Sequence, residues 1–197
     1  MPTDRKVAVF VGSLRKDSIN RRLALALAGL APKHLRFEHV ELHDLPMYNQ
    51  DDDNARPPQA LRLKAHTESA DALLFVTPEY NRSIPGMLKN AIDTASRPYG
   101  HNSFAHKPAG VIGTSPGASG TAMAQQHLRN VLACLDVPTL GQPEAFVQFR
   151  DGLIDADGHV SDDRTRAFLQ IWVDAYVGWI ELYLSPLTKP ASAPEPA

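Results

Sequence analysis

The chain has 197 residues, of which 43% are hydrophobic and 21% are charged, and its formal net charge is −2. This size and composition predict one domain with a packed core. Basic and acidic residues are interspersed, which argues against a nucleic-acid partner, and the near-neutral charge argues against a dedicated electron carrier, whose one-sign surface would steer it onto redox partners.

The N-terminus gives no sign of a targeting or membrane segment. Its first apolar run spans only about six residues, too few for a signal-peptide core or a membrane span. The one cysteine, Cys134, excludes an intrachain disulfide. We therefore expect a cytoplasmic protein that does not contact the membrane, in which Cys134 is a small buried residue within a helix.

Short apolar runs alternate with segments of helical periodicity along the chain. The predicted strands, several of them almost wholly apolar, are 6–12, 36–42, 72–77, 108–114 and a segment within 138–148. The predicted helices are 19–30, 58–70, 85–96, 121–135 and 161–184, the last with Ser161 as its N-cap. The acidic stretch 46–58 has turn formers but no period, which predicts a surface loop with solvated charges.

This alternation predicts the fold class, an α/β doubly wound sheet of five parallel strands in the order 2-1-3-4-5 with helices on both faces. We expect a single domain over residues 1–187 and a disordered, proline-rich tail over residues 188–197. Sheets of this kind bind ligands beyond the carboxyl ends of their strands. The loops after the first, third and fourth strands are therefore the candidate site.

The first of these loops, residues 12–20, is rich in groups that bind anions. Ser13 and Ser18 offer hydroxyls, Arg15 offers a guanidinium, and the N–H groups at the helix start, around Ser18 to Asn20, point into the turn. A phosphate monoester is the ligand that this set favours, unless Ser18 merely caps the helix. Gly12 begins neither a Rossmann nor a Walker glycine pattern, which argues against dinucleotide binding in the Rossmann manner and against phosphoryl transfer.

The other two loops offer an aromatic face and close backbone approach. In the loop 77–86, Tyr80 and Asn81 stand where a planar heterocycle can lie, and the N–H groups of Glu79 to Asn81 are candidate donors to it. The alternative for this loop is a rigid turn with an exposed tyrosine. The loop 114–120 consists of small residues and glycines, which let a ligand approach the backbone.

Two motifs in these loops resemble the NAD(P)H-dependent FMN reductase family of flavodoxin-like proteins, in the branch of bacterial quinone and chromate reductases. Gly-Ser-x-Arg-x-x-Ser-x-Asn runs from Gly12 to Asn20, and Pro-Glu-Tyr-Asn, Pro-Gly and Leu-Lys-Asn-Ala-Ile-Asp follow from Pro78 to Asp93. The resemblance implies a flavodoxin-like fold with FMN as cofactor and NADPH or NADH as co-substrate. The cofactor-binding residues that it implies are Ser13, Arg15, Ser18, Ile19 and Asn20 for the phosphate, Pro78, Glu79, Tyr80 and Asn81 for the ring, and Ser115 and Gly117 for the other edge of the ring.

The resemblance also implies an activity, namely ping-pong hydride transfer through FMN to quinones or to other small acceptors such as flavin, azo dye or chromate. The flavin carries the chemistry, so we name no catalytic acid or base and no metal. A homodimer or homotetramer is implied as well. The aromatic residues of the last helix are expected in its interface or in the core, and they are Trp172, Tyr176, Trp179 and Tyr183.

Other functions stay open at this point. A non-enzymatic flavodoxin-like electron carrier or redox sensor would bind flavin without turnover, and a phosphate-binding module would bind no flavin. Arg82 departs from the aromatic or small residue that is common in the family, and we predict a salt-bridged surface arginine there.

Overall fold

Five parallel strands form the centre of the structure, a computed structural model that describes residues 3–185. The strands are β1 (Arg5–Val11), β2 (Leu35–His39), β3 (Ala72–Val76), β4 (Ala109–Ser115) and β5 (Phe146–Gln148). They are arranged in the order β2-β1-β3-β4-β5, and each neighbouring pair is parallel. The predicted fold class is therefore confirmed. The predicted disordered tail over residues 188–197 lies outside the described residues.

Helices cover both faces of the sheet, because successive strand residues point to opposite sides. The helices are α1 (Ile19–Leu30), α2 (Pro58–Glu68), α3 (Gly86–Ala95), α4 (Ala122–Cys134) and α5 (Asp163–Leu184). Val7 and Val9 of β1 pack in the cluster that contains α1 and α5, whereas Ala8 and Phe10 pack in the cluster with α2, α3 and α4. Both clusters are buried, so the edge where the strands end remains the place for a site.

The aromatic residues of α5 belong largely to the core. Trp172 and Tyr176 are each 1% exposed and stack on one another, and the Tyr176 hydroxyl donates to the Leu73 carbonyl oxygen at 2.7 Å. Gly110 of β4 lies beneath them, and a Cβ there would come within 2.8 Å of the Trp172 ring. Trp179 is partly buried and donates to the Pro138 carbonyl oxygen at 3.0 Å. For these three residues the structure shows packing within the chain.

Four local expectations were wrong. Asp162, not Ser161, caps α5, accepting a hydrogen bond from the Thr165 N–H at 2.7 Å, and a carboxylate also suits the positive end of a helix. The stretch 46–58 contains a short 3₁₀ helix, Gln50–Asn54. Cys134 is exposed, because it lies two residues beyond the buried Leu132 and so on the other side of α4. β2 is shorter than the predicted strand 36–42.

Candidate functional site

A cavity of about 120 Å³ lies at the carboxyl edge of the sheet, between the loops that follow β1, β3 and β4. Its lining residues are Ser13, Arg15, Ser18, Ile19, Asn20, Pro78, Glu79, Tyr80, Thr114, Ser115 and Pro116. Nine of these eleven residues are predicted cofactor contacts from the sequence. Thr114 and Pro116 belong to the predicted loop 114–120 but were not among the predicted cofactor contacts, although their position at the end of an apolar strand was a usable signal. Asn81 and Gly117, which were predicted, do not line the cavity.

The start of α1 leaves hydrogen-bond donors unused on the cavity wall. The Ser18 side-chain oxygen accepts a hydrogen bond from the Arg21 N–H at 3.2 Å, so its own hydroxyl proton remains free to be donated. The N–H groups of Ile19 and Asn20 come too early in the helix for an intrahelical acceptor, and no other residue from 3 to 185 accepts from them. The helix dipole adds positive potential here. Ser18 is therefore both a helix cap and a candidate ligand donor.

Arg15 adds a full positive charge to these donors. Its side chain is exposed, and its guanidinium makes no hydrogen bond or ion pair within residues 3–185. Its own N–H makes a long contact of 3.4 Å with the Ser13 hydroxyl oxygen, which shapes the turn. A charged fork beside unused N–H groups suits a phosphate, because each phosphate oxygen can accept several hydrogen bonds.

The Asn20 side chain bonds to the backbone of β4 and is not free to contact a ligand. It is 2% exposed, its amide group donates to the Thr114 carbonyl oxygen at 2.9 Å, and its oxygen accepts from the Thr114 N–H at 3.0 Å. The side chain thus ties the first turn of α1 to the end of β4. Its backbone N–H is the group that remains for a ligand.

The loop after β3 supplies the aromatic wall. The Tyr80 side chain is 53% exposed. The Tyr80 N–H donates to the Ser83 carbonyl oxygen at 2.9 Å, so this one of the three predicted donors is already used, whereas those of Glu79 and Asn81 have no acceptor among residues 3–185. The expectation for the Tyr80 N–H was therefore wrong, because the loop closes into a tight turn.

Glu79 has a structural role that the sequence did not reveal. Its carboxylate accepts from the N–H groups of Met123 and Ala124, both at 3.0 Å. The cap residue of α4, Thr121, makes no side-chain capping bond. Glu79 therefore caps α4 from another loop, and the positive end of that helix stabilises its carboxylate.

Arg82 is not the salt-bridged arginine that we predicted. It is exposed, and within the described chain it forms no ion pair and no side-chain hydrogen bond. The prediction failed because the one carboxylate in its own loop, that of Glu79, faces the N-terminus of α4 instead.

The loop after β4 is folded onto itself. The Ser115 hydroxyl donates to the Gly120 carbonyl oxygen, and the Gly120 N–H donates to the Gly117 carbonyl oxygen at 3.0 Å. Behind this loop, a Cβ on Gly113 would lie 2.1 Å from the Thr77 carbonyl oxygen, so only glycine lets β4 run this close to the end of β3. The third wall of the cavity is thus a rigid loop.

The family of this protein is identified by its similarity to known proteins. The sequence model of the family described as NADPH-dependent FMN reductase matches residues 5–151. The chain belongs to this family. The resemblance drawn from the two motifs is confirmed, and the chain is an oxidoreductase that works with FMN and NAD(P)H.

Relatives of the FMN reductase family match over nearly the whole chain. The sequence is 50% identical over 175 residues to the 2-hydroxy-1,4-benzoquinone reductase of a Burkholderia species, covering 89% of this chain and 96% of that protein. It is 48% identical to a Pseudomonas putida quinone reductase over 177 residues, or 89% of this chain and 95% of that protein. The structure of FerB from Paracoccus denitrificans, described as a flavoenzyme NAD(P)H:(acceptor) oxidoreductase, matches with a TM-score of 0.87 and 51% identity, covering 91% of this chain and 98% of that one.

The residues of the site meet the requirements of FMN. A phosphate needs several donors and a positive charge, which the unused N–H groups of α1 and Arg15 offer. A flat ring needs an apolar face and polar donors at its edge, which Tyr80 and the N–H groups of Glu79 and Asn81 offer. Among the described helices, none has the length and apolar character needed to cross a bilayer.

Proposed function

We propose that this chain holds FMN in the cavity beyond β1, β3 and β4 and uses it to pass hydride equivalents from NAD(P)H to quinones by a ping-pong reaction. The cavity carries this proposal, because nine residues chosen from two sequence motifs and one loop line it together. The names of two relatives, both quinone reductases, favour quinones among the possible acceptors.

In this proposal the start of α1 holds the phosphate of FMN. The Arg15 guanidinium, the Ser18 hydroxyl and the N–H groups of Ile19 and Asn20 are the donors, and all four residues line the cavity. Asn20 acts in addition through its side chain, which fixes α1 against β4 and so holds the donors in place. A rigid frame of this kind lowers the entropy cost of binding.

The loop after β3 positions the ring. Pro78 stiffens the loop, Tyr80 presents its aromatic face, and the unused N–H groups of Glu79 and Asn81 are the donors to polar atoms of the ring edge. Bound FMN supplies the hydride-transfer chemistry itself. The Glu79 carboxylate is hydrogen-bonded to α4, so this loop offers no free acid or base. The loop instead orients the flavin ring and stabilises charge on it.

We also propose that the protein works in the cytoplasm as a homodimer or homotetramer. Tyr99 is 90% exposed and Met47 is 77% exposed, and large apolar side chains left this open support contact with a second copy. Because Trp172 and Tyr176 are buried in the core, they do not form that contact. Sedimentation or gel filtration of the FMN-loaded protein tests the assembly.

The first experiment is a visible absorption spectrum of the purified protein and an FMN titration of the apoprotein. We expect flavin bands and tight uptake, then oxidation of NADPH or NADH that accelerates when 1,4-benzoquinone is added, with the parallel double-reciprocal lines of a ping-pong reaction. Free flavin, an azo dye and chromate are tested as alternative acceptors. A colourless protein that binds no FMN overturns the proposal.

Arg15→Ala tests the phosphate site directly. Loss of a hydrogen bond to a charged group costs about 1.5–3 kcal/mol, so the Kd for FMN should rise by roughly 10- to 150-fold. Arg36→Ala is the matched control, because Arg36 is exposed near the amino end of β2, at the opposite edge of the sheet. Equal FMN affinity of the Arg15 variant and the wild type contradicts the assignment.

A further inference from the structure

The loop that borders the cavity contains a strained two-residue turn. Tyr80 and Ser83 exchange two backbone hydrogen bonds, each of 2.9 Å. Between them Asn81 and Arg82 have φ values of 52° and 64°, which is the pattern of a type I′ turn. Asparagine tolerates this conformation, but the next position favours glycine, because the Cβ of any other residue lies too close to the following carbonyl oxygen. Arginine at position 82 therefore destabilises the turn relative to glycine.

Contacts to α4 hold this turn in place. The Ser83 hydroxyl oxygen lies 2.7 Å from Nδ1 of His127, and the Glu79 carboxylate accepts from the N–H groups of Met123 and Ala124. The turn is therefore fixed on both sides of Arg82. Strain that the surrounding structure maintains in this way is found most often where the residue has a function.

The charge of Arg82 is available to a ligand. Its side chain is exposed, and no residue in the described range pairs with it. Glu79, the only carboxylate of the loop 77–86, is engaged with α4. Arg82 follows the cavity residue Tyr80 by two positions, so their Cα atoms lie at most about 7 Å apart. An extended arginine side chain is long enough to span that separation.

We propose that Arg82 binds a phosphate group of NAD(P)H while the nicotinamide lies against the flavin beside Tyr80. This inference rests on the proposed function and adds a specificity-determining residue to it. NAD(P)H carries a pyrophosphate, and NADPH a further phosphate, and a planar guanidinium binds such oxygens in pairs. The phosphate of FMN has its own donors at the start of α1, so the charge of Arg82 is not needed there.

The test compares Arg82→Asn, Arg82→Gly and Arg82→Lys with the wild type by stopped-flow reduction of the bound flavin. Asparagine and glycine remove the charge and still accept the turn, whereas lysine keeps the charge without the fork. Arg36→Gln, at the opposite edge of the sheet, is the control for loss of one positive charge. The hydride donors are NADH, NADPH and 1-benzyl-1,4-dihydronicotinamide, which has no phosphate.

We expect the apparent Kd for the dinucleotides to rise about 10- to 100-fold in Arg82→Asn and Arg82→Gly, less in Arg82→Lys, and not at all in Arg36→Gln. The rate with the phosphate-free donor should not change. An effect on both NADH and NADPH points to the pyrophosphate, and an effect on NADPH alone points to the extra phosphate. Both results support the inference.

Other outcomes overturn it. An unchanged dinucleotide Kd does so, as does an equal loss with the phosphate-free donor, which would mean that the turn only shapes the flavin site. A changed KM for an anionic acceptor with unchanged dinucleotide binding assigns Arg82 to the acceptor instead. The flavin spectrum and the phosphate-free reaction are recorded on the same samples, so failure of the proposed function itself is seen separately.

Discussion

Replacement of Asn20 by alanine tests whether this side chain stabilises the structure of the site or contacts the ligand. The Asn20 side chain is buried and makes two hydrogen bonds, of 2.9 and 3.0 Å, to the backbone of Thr114. Alanine leaves the N–H and the carbonyl of Thr114 without partners, and each such group costs about 1–3 kcal/mol. We therefore expect the free energy of unfolding of the apoprotein to fall by roughly 2–6 kcal/mol. For a protein of this size, that lowers Tm by roughly 4–24 °C.

The assay is urea and thermal denaturation of FMN-free protein, with Asn130→Ala as the matched control. Asn130 is exposed on α4 and its side chain makes no hydrogen bond within the described chain, so its variant should be at least as stable as the wild type. FMN is left out so that binding cannot add to the measured stability. If Asn20→Ala is as stable as the wild type without FMN but binds FMN more weakly, the structural role assigned to the Asn20 side chain is refuted.

Three further predictions concern single positions. Gly113→Ala places a Cβ 2.1 Å from the Thr77 carbonyl oxygen, so we expect little soluble protein, whereas Gly141→Ala, with nothing within 4 Å, should express normally. Ser18→Ala removes the cap of α1 and should lower apoprotein stability by about 0.5–2 kcal/mol in urea denaturation; an unchanged midpoint contradicts this. Burial lowers the pKa of His39 below 6.5, and the Arg21 charge adds to this. The unfolded chain then binds a proton that the folded chain does not, so stability should fall as pH drops below 6.5, and His39→Gln should flatten that slope.

The accuracy of the predicted elements depends on how local their signals are. Helix α1 has the predicted bounds, because Ser18 caps it and Pro32 follows its end, and both signals lie next to the helix. β5 could only be placed within 138–148. It has three residues, of which only Val147 is buried, and its position is set by pairing with β4, where Thr114 is opposite Val147. Three residues are too few to show a hydrophobic periodicity, so β5 cannot be located from its own sequence.

The sequence predicted which residues form the site better than it predicted the hydrogen-bond partners of their polar groups. The motifs name most of the cavity wall, but residue type states only what a group can bond, not which partner it has. The Glu79 carboxylate meets α4 44 residues further on, and Asn20 meets Thr114 94 residues away. The closure of the turn at Tyr80 depends on Ser83, which looks like any other loop serine in the sequence. Partners at such separations appear only once the chain is folded.

The charged side chains left unpaired around the cavity include more cations than acids. The N–H groups of Ile19 and Asn20 are unused donors, and Arg15 and Arg82 are cations without partners in residues 3–185. The acids there are Asp17, which is also unpaired in this range, and Glu79, whose carboxylate is bonded to the N-terminus of α4. The mouth of the cavity thus holds two unpaired arginines within a chain of net charge −2. These cations attract a phosphorylated cofactor and a phosphorylated hydride donor, and they do nothing for a neutral quinone. Because exposed charges are screened by salt, raising the ionic strength should weaken dinucleotide binding while leaving the KM for an uncharged quinone unchanged.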